Sequence, residues 1–331
     1  MSLKKTAVSG IKWSTFSQAG RQIMQLITLI ILANLLTPQD FGLVGMATVV
    51  TGFAAIFRDL GTSAAIIQRE EISPTLLQSI FWLNVFFGFC VTLILLGIAP
   101  LVGSLYHEPQ VTQILSALSP IFFITGFSIL QQSLLERNLE FNKLAKIELS
   151  ATLLASIVGI SLALLKAGAW SLVCQTITLA SINTLLLWLG TGWQPKLMLN
   201  WQELQSVKNY SLNLTGFSIF NYFARNADYF LIGRFLGAQS LGYYTLAYRI
   251  MFYPLQNIAS VIGRVIFPVL SQMQHDHARF CFAYIRVTRT IALLTFPLMM
   301  GLWILAEPFV LTVLGTKWQP IIMLLWILSP I

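Results

Sequence analysis

Residues 13–36 read WSTFSQAGRQIMQLITLIILANLL. These 24 residues, at ~1.5 Å rise each, make a helix about 36 Å long. A bilayer-spanning helix needs about 20 mostly apolar residues, so this stretch suffices to cross. Within it stands Arg21. An arginine at that depth is costly unless it faces a polar cavity or a partner. The length of the stretch predicts a membrane helix, and its arginine predicts a cationic interior.

Eight more stretches of the same kind follow, at 41–66, 76–102, 111–135, 145–166, 169–190, 210–235, 242–272 and 287–306, and a tenth begins near Pro320 and stops at Ile331. The fold class expected is an all-α polytopic membrane protein. Composition agrees: charged residues are 10% of the chain, against roughly 25% in a soluble domain. Hydrophobic residues are 56% and the mean hydropathy is +0.75. A pI near 9.5 invites a nucleic-acid partner, but the basic residues are scattered singly between apolar spans, which excludes that class. Cys90, Cys174 and Cys281 have no metal or redox spacing. Lys4, Lys5 and Lys12 precede an apolar run as in a signal peptide. That run continues to Leu36 and meets Thr37-Pro38 with no small-residue cleavage site, so it reads as a retained first helix.

Cytoplasmic loops are enriched in Lys and Arg, and this sets the orientation. With the N-terminus inside, the inner segments carry Lys4, Lys5, Lys12, Arg69, Arg137, Lys143, Lys146, Lys196, Lys208, Arg279, Arg286 and Arg289. The outer ends carry Lys166, Arg234 and Lys317. Residues 1–12, 67–75, 136–144, 191–209 and 273–286 are therefore expected to face the cytoplasm.

An internal echo appears at an offset of 200 residues: Leu35-Leu36-Thr37-Pro38-Gln39-Asp40-Phe41-Gly42 aligns with Phe235-Leu236-Gly237-Ala238-Gln239-Ser240-Leu241-Gly242. A weaker echo pairs Ala99-Pro100 with Glu307-Pro308. Six spans separate the copies, and an even number preserves orientation. The expectation is a parallel repeat about an axis along the membrane normal, one of the symmetries of secondary transporters. Residues 1–190 would form one six-helix bundle, 191–209 a cytoplasmic linker, and 210–331 an incomplete second bundle.

Five arginines lie inside the predicted spans, clear of their terminal turns: Arg21, Arg58, Arg225, Arg249 and Arg264. Set against Asp59 and Asp228, they leave an embedded charge of +3, which suits an anionic ligand. Arginine fits a diphosphate because its planar fork donates two parallel hydrogen bonds, as lysine cannot. Arg21 lies ~12 Å into the first span, too deep to snorkel easily, and Arg249 is similarly placed from the outer side. Arg58 and Arg264 sit near inner ends, where snorkelling to membrane lipid phosphates accounts for them. Arg225 and Asp228 stand i, i+3 and can face each other. They read either as a phosphate ligand with a competing acid or as a self-neutralising pair. Asn213, Asn221, Tyr222, Asn226 and Tyr229 supply amides and rings suited to sugars, or to helix–helix hydrogen bonding. The candidate substrate-binding set is Arg21, Arg225, Asp228, Arg249, Asn221, Asn226 and Tyr229.

His275-Asp276-His277 on an inner loop reads as a solvated turn rather than a metal site. There is no Walker-type phosphate loop, so neither ATP hydrolysis nor a cofactor is expected. Energy would come from an ion gradient, the substrate's own gradient or a partner.

Four runs carry a resemblance. They are Leu36-Thr37-Pro38-Gln39-Asp40-Phe41-Gly42, Asp59 through Arg69, Arg225-Asn226-Ala227-Asp228 through Gly237, and Leu314-Gly315-Thr316-Lys317-Trp318. Together they resemble the polysaccharide-transport branch of the multidrug/oligosaccharidyl-lipid/polysaccharide exporter superfamily. The resemblance implies an inner-membrane flippase for undecaprenyl-diphosphate-linked oligosaccharides, with two six-helix lobes around a central cavity. It also implies a polysaccharide polymerase or export machinery as partner. Helices eleven and twelve of that plan have no counterpart here. Two other functions compete. A cation-coupled multidrug exporter of the same fold should have an acidic cavity. A membrane glycosyltransferase or polysaccharide polymerase should have a sizeable outer loop or an acidic motif, and the outer loops here are short.

Overall fold

The computed structural model describes residues 3–59, 66, 73–196, 200–272 and 277–330, with side chains described at 18, 20–58, 66, 73–196, 200, 216, 218–252 and 280–330. Among these residues all regular structure is helical. The chain divides into two compact units, Met1–Leu241 and Gly242–Ile331.

The first unit opens with α1 (Leu3–Leu35), α2 (Pro38–Asp59) and α3 (Pro74–Tyr106). Then come the short helices α4 (Pro109–Leu118), α5 (Pro120–Gly126) and α6 (Ile129–Arg137), followed by α7 (Phe141–Leu164) and α8 (Trp170–Thr191). Helix α9 (Trp201–Gln272) is two helices joined at Gly237, whose φ 82° and ψ 177° are non-helical. That region of backbone space is open essentially to glycine alone.

Local chemistry sets several starts. Proline at the first helical position costs no hydrogen bond and presets φ, and Pro38, Pro74, Pro109 and Pro120 each begin a helix. The turn into α2 is a capping box. The Thr37 backbone N–H and hydroxyl both donate to Asp40 Oδ2, at 2.8 and 2.6 Å, and Asp40 N–H donates to Thr37 Oγ1 at 3.3 Å. Ser73 caps α3 by accepting from Leu76 N–H at 3.0 Å, and α3 ends at His107 in the left-handed region.

The helices pack as a bundle in which α1 lies along α7, α7 along α8, α3 against α4 and α5, and α2 against α3 and α4. Leu43, Met46, Leu95, Ile114, Leu115 and Val173 form part of its buried core, with Tyr229, Phe230 and Ile232 of α9 packed against it. Lipid is as apolar as leucine, so close approach and hydrogen bonding hold membrane helices together. Thr28 Oγ1 donates to Ser156 Oγ at 2.9 Å, joining α1 to α7. The segment after α8 is pinned to α3. Trp82 Nε1 donates to Lys196 O at 3.0 Å, Lys196 N–H to Gln78 Oε1 at 2.6 Å, and Asn200 N–H to Ser79 Oγ at 2.9 Å.

The fourth predicted span is broken. Helices α4–α5 and α6 meet at a 43° bend, and two α8 side chains reach the carbonyls there. Trp188 Nε1 donates to Phe127 O at 2.9 Å and Thr184 Oγ1 to Ile124 O at 3.4 Å.

The second unit contains the remainder of α9, α10 (His277–Ile304), α11 (Ala306–Phe309), a π turn at Val310–Leu314 and α12 (Pro320–Leu328). Trp318 is fully buried and meets Tyr243 edge to face at 6.0 Å.

Among the described residues, five helices are long and apolar enough to cross a membrane: Pro38–Arg58, Pro74–Tyr106, Phe141–Leu164, Trp170–Thr191 and Phe280–Ile304. The bent pair makes six. The first, seventh and eighth predicted spans fall in α1 and α9, parts of which lie outside the described side chains. The chain is thus an all-α polytopic membrane protein. At the two turns aligned in the sequence, α1 ends at Leu35 and α9 is non-helical at Gly237.

Candidate substrate-binding site

The seventh predicted span supplies most of the candidates, and in α9 a helical wheel sorts them by face. Tyr222, Asn226, Tyr229 and Gly233, spaced i, i+4, i+7, i+11, form the docked face. The Tyr222 hydroxyl donates to Val49 O of α2 at 2.5 Å, and its ring lies 5.9 Å from Phe53. Phe53 also meets Phe223 at 5.2 Å. Asn226 Nδ2 donates to Tyr222 O at 2.8 Å, within its own helix. Tyr229 packs against the bundle core. These two candidates therefore spend their side chains on structure.

Asn221, Arg225 and Asp228 lie on one flank of that face, at i, i+4, i+7. Asn221 and Arg225 are exposed and Asp228 is half-buried. Asp228 Oδ1 accepts from Tyr229 N–H at 2.9 Å. The opposite flank carries Phe220, Phe223 and Leu231, which are 76%, 58% and 50% exposed. The open side of this helix is divided between an apolar flank suited to lipid and a polar flank suited to water or a ligand.

Arg21 is placed elsewhere. Its Nη1 lies 3.2 Å from Glu148 Oε2 of α7, and its Nη2 donates to Gln18 Oε1 at 2.7 Å. The embedded charge of +3 counts Arg21 as uncompensated, whereas Glu148, within the fifth predicted span, matches it. Sequence reasoning missed this acid. The signal was its register: Arg21 and Thr28 stand seven apart on α1, and their partners Glu148 and Ser156 stand eight apart on α7, a shared polar stripe on two parallel helices.

Arg249 belongs to the second unit and is exposed there, one turn past buried Thr245 and Leu246 on its helix. Arg58 occupies the last turn of α2, where a cation favours the helix dipole. The side chains of Asn213, Arg264 and His277, and residues 273–276, lie outside those described. A further polar contact joins Arg234 of α9 to His107. Arg234 Nη1 stands 2.6 Å from His107 Nδ1, and since a guanidinium can only donate, the imidazole accepts there.

An all-helical membrane chain with a polar flank of this kind fits a transporter, and comparison with known proteins gives the lineage. The polysaccharide biosynthesis protein family matches residues 31–323. The chain is 30% identical to the teichuronic acid biosynthesis protein TuaB of Bacillus subtilis over 99% of its own length and 68% of the relative's. It is 31% identical to the succinoglycan biosynthesis transport protein ExoT of Rhizobium meliloti, over 95% of the chain and 64% of the relative. It is 29% identical to the lipopolysaccharide biosynthesis protein WzxC of Escherichia coli, over 99% and 67%. The chain thus spans about two thirds of the length of these relatives. No solved structure matches it. The chain belongs to the polysaccharide biosynthesis protein family, within the polysaccharide-transport branch of the multidrug/oligosaccharidyl-lipid/polysaccharide exporters. That lineage is one of transport proteins and not of enzymes.

Proposed function

We propose that this protein flips undecaprenyl-diphosphate-linked oligosaccharide from the cytoplasmic to the outer leaflet of the bacterial inner membrane, with its N-terminus in the cytoplasm. The observation that supports this reading is the polar flank of α9, where Asn221, Arg225 and Asp228 share one side of a helix whose other flank is phenylalanine and leucine. Arg225 is the phosphate contact in this reading and Asn221 a sugar contact. Arg21 is a further cation for the diphosphate in this reading. Asp228 keeps Arg225 from standing as a bare charge within the membrane. A polysaccharide polymerase or export partner would take up the product. The cationic candidates disfavour a multidrug exporter of cationic drugs.

Two variants test the site in cells that depend on this protein for glycan export. A charge-assisted phosphate contact contributes roughly 1.5–3 kcal/mol, or about one to two decades in affinity. Arg225→Lys keeps the charge and loses the fork, so export should fall sharply at normal membrane abundance. Normal export from the double variant Arg225→Ala with Asp228→Ala would remove Arg225 from the substrate site.

A further inference from the structure

The Arg21–Glu148 pair is not needed to dock α1 on α7. Those helices are already joined by the Thr28–Ser156 hydroxyl contact at 2.9 Å, with both residues buried, and Leu149 of α7 packs beside Gly20 of α1. The ion pair is of another kind. Its two side chains keep 28% and 24% exposure, so neither is sealed within the bundle. Glu148 Oε2 stands 3.2 Å from Nη1, where an oxygen of an anionic ligand would also stand, because a guanidinium presents the same donors to carboxylate and phosphate.

We propose that Glu148 is an internal competitor for Arg21. It holds the guanidinium in the empty transporter, gives way to a phosphate of the lipid diphosphate, and returns to expel it. The inference rests on the flippase reading. Two physical needs support it. An embedded arginine without a partner is costly, and Glu148 supplies one whenever the ligand is absent. A transporter must also release what it binds, and a carboxylate waiting beside the fork lowers affinity and speeds departure. Other charges lie on the elements that pack against α7. On α6, Glu136 accepts from Gln132 Nε2 at 2.9 Å, and Arg137 Nη1 donates to Ile66 O at 2.6 Å. Lys146 on α7 itself is exposed, and α8 contributes no acid or base over 170–191.

The test is calorimetric titration of the purified protein in detergent with farnesyl diphosphate, a short-chain prenyl diphosphate. Glu148→Gln keeps the shape and removes the charge, so it should bind roughly ten- to a hundredfold tighter than wild type, while glycan export in cells falls because release slows. Arg21→Ala should bind more weakly. Adding Glu148→Gln to it should change nothing further, since the competitor then has nothing to compete for. If Glu148→Gln fails to fold, Glu148→Asp, with its shorter reach, should show the same direction of change. Unchanged or weaker binding by a folded Glu148 variant, with wild type binding normally, would make Glu148 a structural pin and leave the flippase reading standing. Absence of farnesyl diphosphate binding in wild type and variants alike would overturn both.

Discussion

Gly42 of α2 lies so close to Ala238 of α9 that an added Cβ would sit 1.6 Å from the Ala238 carbonyl oxygen. The two helices touch backbone to backbone there, and close contacts continue along α2 and α9. A Cβ on Gly52 would meet the Tyr222 hydroxyl at 2.5 Å, and one on Gly233 the Tyr106 ring at 2.9 Å. Because a carbonyl cannot swing aside as a side chain can, Gly42→Ala must push the helices apart. Overpacking of this kind costs about 1–3 kcal/mol. We expect a lowered thermal midpoint for the purified variant, and none for Gly97→Ala, whose position has open space around it.

The orientation is tested by single cysteines and a membrane-impermeant thiol reagent. Ala238 is unsuited because it is only 4% exposed under Gly42. Gln239 and Gln110 are exposed, and on the inner side so is Asn142. Cysteines at 110 and 239 should react from outside intact inner-membrane vesicles of native sidedness, and one at 142 should not. The reverse pattern would invert the topology.

The segment following α8 is fastened to α3 through Gln78, Ser79 and Trp82. Each acceptor removed takes away a hydrogen bond that contributes about 0.5–1.5 kcal/mol. The double variant Gln78→Leu with Ser79→Ala should therefore loosen this segment. Trypsin cutting after Lys196 should become faster in the variant, scored by fragment size over time. Equal cutting rates would show that the strap is held some other way.

Trp188→Phe removes the indole N–H that satisfies Phe127 O at the bend of the fourth segment while keeping aromatic bulk against Phe81, whose ring lies 6.0 Å away. The expected loss is about 1–3 kcal/mol, read as a lowered unfolding midpoint. A variant as stable as wild type would show that another donor serves that carbonyl.

The helices were legible wherever apolar length and a starting proline coincide. The spans expected from 41, 76 and 320 begin at Pro38, Pro74 and Pro320. The bend after Gly126 was not legible, because the side chains that reach its carbonyls, Thr184 and Trp188, lie 60 and 61 residues away. In the candidate site, the residue types of the seventh span pointed to polar chemistry. The division of that chemistry between a docked face and an open flank depends on where α2 lies, which spacing alone does not reveal. Glu148 was overlooked because, two residues from Lys146 at the edge of an apolar run, it reads as the margin of a span. Its importance comes from the neighbouring helix.

The bent fourth segment also bears on how the protein is made. Its Phe127 carbonyl is satisfied by Trp188, 61 residues later, and its Ile124 carbonyl accepts from Thr184, 60 residues later, as well as from Phe127 N–H. At ~5–20 residues per second of synthesis, those donors emerge about 3–12 s after the segment itself. An unpaired carbonyl in lipid costs several kcal/mol, so until Trp188 arrives the Phe127 carbonyl favours a helix whose ladder of hydrogen bonds is intact. We expect a nascent chain halted before residue 184 to carry a straighter fourth helix, and the bend to form late in biogenesis.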